Sequence, residues 1–504
     1  MLIKCLCPKS YRSFKGKYKL DVEYYVNTTR KTEGGPRMPD YEHRRYRQSL
    51  ILGLIGVVKE LFPGEELKIS HSILDGVYCE LVNSILSSRE VQETEDQLRN
   101  WVLADQPIPY ETGKDHLYHC SINKQEITTI YPPLDRTGSL KHFKLIHFLP
   151  GFILLFPNIN HRESISPFVP PEKLSSTFSE TQRWLENLHL STVKDVNAII
   201  SAKSSQDLIC LAEALHEKKI SSIADQIFDK RRNVRVILIS GPTSSGKTTF
   251  SQRLSTQLRV NGLRPVALSL DNYFLPREET PLDSSGQYDF ECIEALDLPL
   301  LAAHLKTLIG GSEVETPIYD FVCGGRSPTS KPLKLCSDEI LIVEGIHALN
   351  PCLLPSLDRN QMFKIYVSAL FQLNIDPYTR VPTTEVRLIR RLVRDAKFRG
   401  IEPERTLAQW KSVRRGEINN IFPYQEEADV MFNSSLLYEL NALRTFAEKL
   451  LISVPPESPQ YQTTLHLLTL LSFFNPLEST TVPFNSILRE FLGGSAYEVK
   501  VPLP

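Results

Sequence analysis

The chain has 504 residues, enough for about three domains of ordinary size. Apolar residues make up 41% and charged residues 23%, so collagen-like, mucin-like and wholly disordered chains are excluded. Fifty-eight Lys and Arg against 59 Asp and Glu give a net charge of -1, which argues against nucleic acid or anionic lipid as a partner of the whole chain. Any polyanion site is therefore local.

In chain order, residues 1–40 read as a short β-rich segment. Six of the first twenty residues are Lys or Arg, and the apolar text is broken at Lys4 and Lys9, too early for a secretory leader. A solvated basic strand face is the simpler reading than a transit peptide. Nine cysteines are scattered, with Cys5 and Cys7 the only close pair, which suits a reducing, cytoplasmic setting.

Residues 41–172 read as an α+β unit. Leu50 to Phe62 has helical spacing and stops at Pro63-Gly64, and Leu67 to Glu80 breaks at Asp75-Gly76 as a hairpin does. The longest apolar run, Leu50 to Val58, is nine residues, well short of the ~20 that span a bilayer, so no membrane partner is expected. His116, His119 and Cys120 lie close together but lack a fourth ligand for a metal. Residues 173–232 read as a helical linker, with three-four apolar spacing in Leu208 to Ile227.

Over 233–455 the text alternates strands and helices. Val234 to Ile239, Pro265 to Leu270, Ile340 to Val343 and Phe363 to Val367 are short continuous apolar runs, the pattern of a parallel sheet with helices on both faces. Residues 456–504 read as a helical extension, with Tyr461 to Phe474 as its helix.

Gly241-Pro242-Thr243-Ser244-Ser245-Gly246-Lys247-Thr248 matches G-x-x-x-x-G-K-[ST], and it lies between an expected strand and an expected helix that starts at Thr249. Such a loop turns backbone N–H groups and a helix N-terminus onto phosphates, while Lys247 bridges the β- and γ-phosphates and the Thr248 hydroxyl ligates Mg²⁺. Asp271 is expected at the end of a strand beside this loop, placed to take a proton from an attacking hydroxyl and to touch Mg²⁺ through water. Glu344 ends the run Ile340-Leu-Ile-Val and faces the metal in a Walker B arrangement. Arg387, Arg390, Arg391 and Arg394 fall at i, i+3, i+4 and i+7. One helix face would carry all four guanidinium groups, and a lid closing on a triphosphate would neutralise it. Arg414 and Arg415 are further candidates of the same kind.

Together these segments resemble the uridine kinase branch of the phosphoribulokinase/uridine kinase family. The likeness runs from Val234 to Leu443 through the phosphate loop, Ser-Leu-Asp-Asn-Tyr-Phe274, Tyr288-Asp-Phe-Glu291, Pro317-Ile-Tyr-Asp-Phe321, Val-Glu-Gly-Ile-His347, the arginine run and Ala428-Asp-Val430. It implies a P-loop fold and Mg²⁺-dependent transfer from ATP or GTP to a ribonucleoside 5′-hydroxyl, uridine or cytidine first. Under it Asp271 is the base, and Thr248, Asp271 and Glu344 hold Mg²⁺. Phe290 and Glu291 hold base and ribose, Tyr319 touches the base, Phe274 and Arg387 complete the acceptor set, and the arginine segment is the lid.

Two departures stand out. Gly324 stands where a base-reading histidine is usual, and Glu291 stands for the usual aspartate. A kinase of a sugar phosphate or other small alcohol, and a nucleotide-switched RNA-binding protein, are the alternatives. Homo-oligomerisation is left open. The whole chain is also similar to longer, mostly bacterial relatives whose N-terminal half looks like the accessory domains of threonyl-tRNA synthetase. That likeness rests on Leu61-Phe-Pro-Gly, His71 to Cys79 and Thr137 to Leu145, and it implies a capturing, regulatory or dimerising role.

Overall fold

A computed structural model describes residues 39–123, 125–157, 164–283, 286–320, 323–354 and 357–497. The β-rich reading of residues 1–38, and Phe321 of the quoted motif, lie outside the described residues.

The N-terminal part runs α1 (Pro39–Leu61), β1 (Leu67–Ile73), β2 (Gly76–Leu81), α2 (Ser88–Leu103), β3 (Tyr110–Thr112), β4 (Tyr118–Ile122), β5 (Gln125–Thr129), β6 (Lys144–Phe148) and β7 (Gly151–Leu155). Helix α1 stops where Pro63 and left-handed Gly64 follow. The hairpin turns through Leu74-Asp75, and Ile73 pairs with Gly76. Gly76 is required there, because a Cβ would lie 2.8 Å from the Leu154 carbonyl of the neighbouring strand. The sheet order is β1-β2-β7-β6, antiparallel, beside a three-stranded β3-β4-β5 sheet. The apolar faces of α1 and α2 close a core of their own with these strands.

Helices α3 (Glu172–Asn187), α4 (Val193–Ser201) and α5 (Ser205–Asp229) follow, and then β8 (Val236–Ser240), α6 (Lys247–Val260) and β9 (Arg264–Ser269). Next come α7 (Leu298–Ile309), the short strands β10 (Val314–Thr316), β11 (Tyr319–Asp320), β12 (Gly325–Arg326) and β13 (Lys331–Leu333), β14 (Glu339–Glu344) and β15 (Met362–Ser368). The chain continues through α8 (Thr383–Arg399), α9 (Pro403–Asn420), β16 (Val430–Asn433), α10 (Glu439–Ile452), α11 (Tyr461–Ser472) and α12 (Arg489–Leu492).

Five strands form a parallel sheet in the order β16-β15-β8-β14-β9, with helices on both faces. This is the P-loop α/β architecture, preceded by an α+β region. Ile220, Ile223 and Ile227 of α5 are fully buried in the same core as Ile237 and Ile239 of β8, and so are Ile487, Leu488 and Phe491 near the C-terminus. Both flanking segments therefore pack into the sheet's core. The α+β region is tied on by Asn374 Nδ2 donating to Ile69 O at 2.7 Å and by Arg44 pairing with buried Glu385 at 2.5 Å. Among the described residues no helix is long and apolar enough to cross a membrane.

One placement differs from the sequence reading. Asp271 follows β9, and β9 pairs with β14 rather than with the P-loop strand β8. Glu344 thus ends the strand beside the loop, and Asp271 lies one strand further out.

Candidate active site

The loop Gly241 to Gly246 leaves the central strand β8 and enters α6. At Gly241 a Cβ would lie 1.9 Å from the Val367 carbonyl, and Gly246 caps α6 at φ +85°, a region that side chains avoid. Ser244 is also left-handed, at φ 57°. The loop is clamped from behind: Arg387 Nη1 donates to Thr243 O at 3.1 Å, Arg390 Nη1 to Ser244 O at 3.4 Å, and the Ser434 hydroxyl to Ser245 O. Lys247 Nζ donates to Pro242 O at 3.2 Å, curled over the loop it follows.

Three oxygen groups meet in front of it. Thr248 Oγ1 donates to Glu344 Oε1 at 3.3 Å, and Ser269 Oγ donates to the same oxygen at 3.1 Å. Burial, and then the negative charge of Asp271, push the Glu344 carboxyl up to about 7, against the pull of Lys247. Asp271 sits in a single 3₁₀ turn, Leu270–Tyr273, that carries it past the end of β9. Two crowded carboxylates and a hydroxyl are hard oxygen donors, the chemistry that suits a Mg²⁺ ion keeping part of its water and binding substrate phosphates.

The four arginines of α8 are not a bare lid face. Arg387 forms a two-pronged pair with Glu417, and Arg390 pairs with Glu439 and donates to Ser434 O at 2.9 Å; all four of these side chains are at most 2% exposed. Acids from α9 and α10 reach in and neutralise this part of the face, and Arg387 is tied to the loop through the Thr243 carbonyl. Arg391 and Arg394 instead share Asp395 with Arg399, at 3.1, 3.1 and 3.3 Å. Three cations on one carboxylate leave a positive excess, felt by Glu291 through Arg391; Asp271 in turn acts on Arg399. Of the further candidates, Arg414 pairs with Glu417 at 2.6 Å and Arg415 with Asp283.

On the other side, Phe274 and Tyr319 are mostly buried with ring centroids 5.7 Å apart, and Asn272 Oδ1 accepts from Tyr319 N at 3.3 Å. Phe290 is 36% exposed, beside Tyr288. Glu291 is half-buried, its Oε2 is buried with no hydrogen-bond partner among the described residues, and burial pushes its carboxyl up to about 7 despite Arg391. Gly324 is left-handed at φ +73°, and a Cβ there would lie 2.7 Å from the Arg277 guanidinium. Arg277 N also donates to Gly324 O at 3.0 Å, which ties the two loops together.

Sequence reasoning missed Glu490. Its Oε2 accepts from Thr249 N at 3.2 Å and from Thr249 Oγ1 at 3.1 Å, on the first turn of α6. Only its place in a tail rich in apolar residues marks it in the sequence.

A phosphate loop on the central strand of a parallel sheet, with acids at the ends of the next two strands, defines a P-loop nucleotide-binding site. The phosphoribulokinase/uridine kinase family profile matches residues 236–437. The chain is 29% identical over 197 residues to a uridine kinase of Deinococcus deserti, covering 39% of this chain and 86% of that one. It is 31% identical over 197 residues to a uridine kinase of Clostridium tetani, covering 39% and 85%. Among solved structures, D-glycerate 3-kinase from Cryptococcus neoformans is similar at a TM-score of 0.30 and 16% identity, covering 42% of this chain and 89% of that one. The chain belongs to the phosphoribulokinase/uridine kinase family, and it is a phosphotransferase.

Proposed function

We propose that the chain transfers the γ-phosphoryl group of ATP or GTP to the 5′-hydroxyl of a ribonucleoside, uridine or cytidine first. The observation that carries this reading is the convergence on Glu344 of the Thr248 hydroxyl, the charge of Asp271 and the ammonium of Lys247. Phosphates would lie on residues 241–249, and Thr248, Asp271 and Glu344 would hold Mg²⁺. When bound, the ion would offset charge on the phosphate oxygens.

Asp271 takes the proton of the acceptor hydroxyl as its oxygen bonds to the γ-phosphorus, and the nucleoside diphosphate leaves. Lys247 and the cations Arg391 and Arg394 face the charge on the transferring group, so most of the rate comes from positioning and electrostatics. Arg387 and Arg390 act one step removed, by fixing the loop. Phe274, Phe290 and Tyr319 line the base side. The orphaned Glu291 Oε2 is an acceptor awaiting sugar hydroxyls. Arg277 stands beside Gly324 where a histidine reader would project, and makes no side-chain hydrogen bond or ion pair of its own among the described residues. It is therefore the group that would read oxygens on the acceptor's far edge.

In this reading residues 233–455 work as the kinase unit, in the cytoplasm, and the N-terminal α+β region captures substrate, regulates or dimerises. The test is Asp271→Asn: turnover should vanish while nucleotide binding stays within a few-fold of the wild type. Full activity in that variant removes the base assignment.

A further inference from the structure

The start of α6 offers N–H groups with no partner inside the helix, and Thr249, its third residue, carries one of them. In a phosphate loop those donors, with the helix dipole behind them, are what an anion binds. Here a carboxylate of the chain itself holds them: Glu490 takes both the N–H and the hydroxyl of Thr249. Its charge is also felt at Glu344, so it faces the same site as the two acids. Next to it, Ile487 is packed on the loop, where a Cβ on Gly246 would lie 2.5 Å from its Cγ2.

The segment that delivers Glu490 is firmly seated. Ile487, Leu488 and Phe491 are fully buried, Arg390 lies 5.1 Å from the Phe491 ring centroid, and Arg489 donates to the Ser479 and Gly493 carbonyls at 3.1 and 3.2 Å. Lys397 holds the Leu492 carbonyl. Lifting this backbone would expose three large apolar side chains, whereas Glu490 itself is only half-buried and can rotate about its own bonds. A carboxylate and a phosphate cannot share one pair of donors, since the second anion finds the donors taken and meets like charge.

We propose that Glu490 is an intramolecular competitor for the donor nucleotide: its side chain occupies the Thr249 donors in the free protein and must swing away for the phosphates to seat, so this one residue sets donor affinity. The inference rests on the donor reading above. It places a brake on nucleotide capture in the C-terminal extension, outside the part of the chain that matches the family.

The experiment uses the full chain, with ATP and ADP binding measured by titration calorimetry and with donor and acceptor kinetics run in parallel. Glu490→Gln keeps the shape and removes the charge. Its expected effect is a donor Kd and KM lower by about tenfold or more, the worth of a hydrogen bond to a charged group, with kcat and acceptor KM unchanged. Glu490→Lys should tighten ADP further. If Glu490→Gln melts earlier and binds ADP no tighter, Glu490 is a helix cap and the proposal falls. Glu490→Asp, which withdraws the carboxylate by one methylene, should shift Kd in the same direction and serves if the glutamine variant does not fold. Equal Kd values in wild type and variants overturn this proposal alone, whereas no nucleotide binding in any of them overturns it together with the donor reading.

Discussion

Arg387 and Glu417 form a two-pronged ion pair inside the protein, with Arg387 2% and Glu417 0% exposed and Nη2 to Oε2 at 2.8 Å. The same guanidinium holds the Thr243 carbonyl of the phosphate loop, and the Trp410 ring centroid lies 5.5 Å away. Removing one member of such a pair leaves a buried charge, which typically costs about 3–5 kcal/mol. Arg414 remains on Glu417 and offsets part of that. Arg387→Met should therefore lower stability by about 2–4 kcal/mol in urea titration. Arg391→Met removes one of three cations from buried Asp395, and with Arg394 and Arg399 still in place it should cost about 1–2 kcal/mol yet lower turnover about a hundredfold or more. An Arg387 variant of unchanged stability would remove the bracing role.

Glu344 and Glu291 both have carboxyls raised to about 7, in each case first by burial. An acid whose folded pKa lies above its unfolded one binds more protons when folded. Its contribution to stability is full below the unfolded value of about 4.5 and is lost as pH rises to about 7. The free protein should thus lose a few kcal/mol between pH 4.5 and 7 from these two groups, as an order of magnitude. Mg²⁺ with nucleotide, by favouring the ionised Glu344, should flatten that slope. Melting curves of wild type and Glu291→Gln across pH 5 to 8, with and without Mg·ADP, check this by difference, because His71, His216 and His347, whose pKa values burial lowers, raise stability with pH over part of the same window; a difference independent of pH contradicts it.

At the acceptor end, Arg277→Ala should raise acceptor KM about ten- to hundredfold through the loss of a charged donor, with donor KM unchanged. Gly324→Ala should act in the same direction, because the new methyl meets the Arg277 guanidinium and the φ of +73° strains any side chain. Steady-state kinetics with uridine and cytidine, and with an anionic alcohol such as a sugar phosphate, separate the two acceptor types. Unchanged acceptor KM in both variants would show that Arg277 reads nothing.

The parts of this architecture that were legible in the sequence are those written locally. Val236 to Ser240, the glycines at 241 and 246, and Glu344 after a continuous apolar run each announce strand, turn and acid within a few residues. The hairpin, expected at Asp75-Gly76 and turning one residue earlier, and the end of α1 are of the same kind. What stayed hidden is set by distant segments. Helix-face arithmetic put four arginines together but could not know that Glu417, Glu439 and Asp395 would meet them. The insertion of β14 between β8 and β9 is a matter of topology that spacing does not record, and β16, Val430 to Asn433, is too short to read as a strand. Glu490 lies 241 residues from Thr249 in the chain, and only folding makes them neighbours.

The most direct measurement is the product formed by the purified full chain with Mg·ATP or Mg·GTP and a mixed panel of nucleosides and sugar phosphates, read by mass spectrometry beside Lys247→Ala. A nucleoside monophosphate, absent with Lys247→Ala, is the expected result, uridine or cytidine giving the strongest peak. Nucleoside diphosphate and free phosphate with no phosphorylated acceptor would contradict a nucleoside kinase.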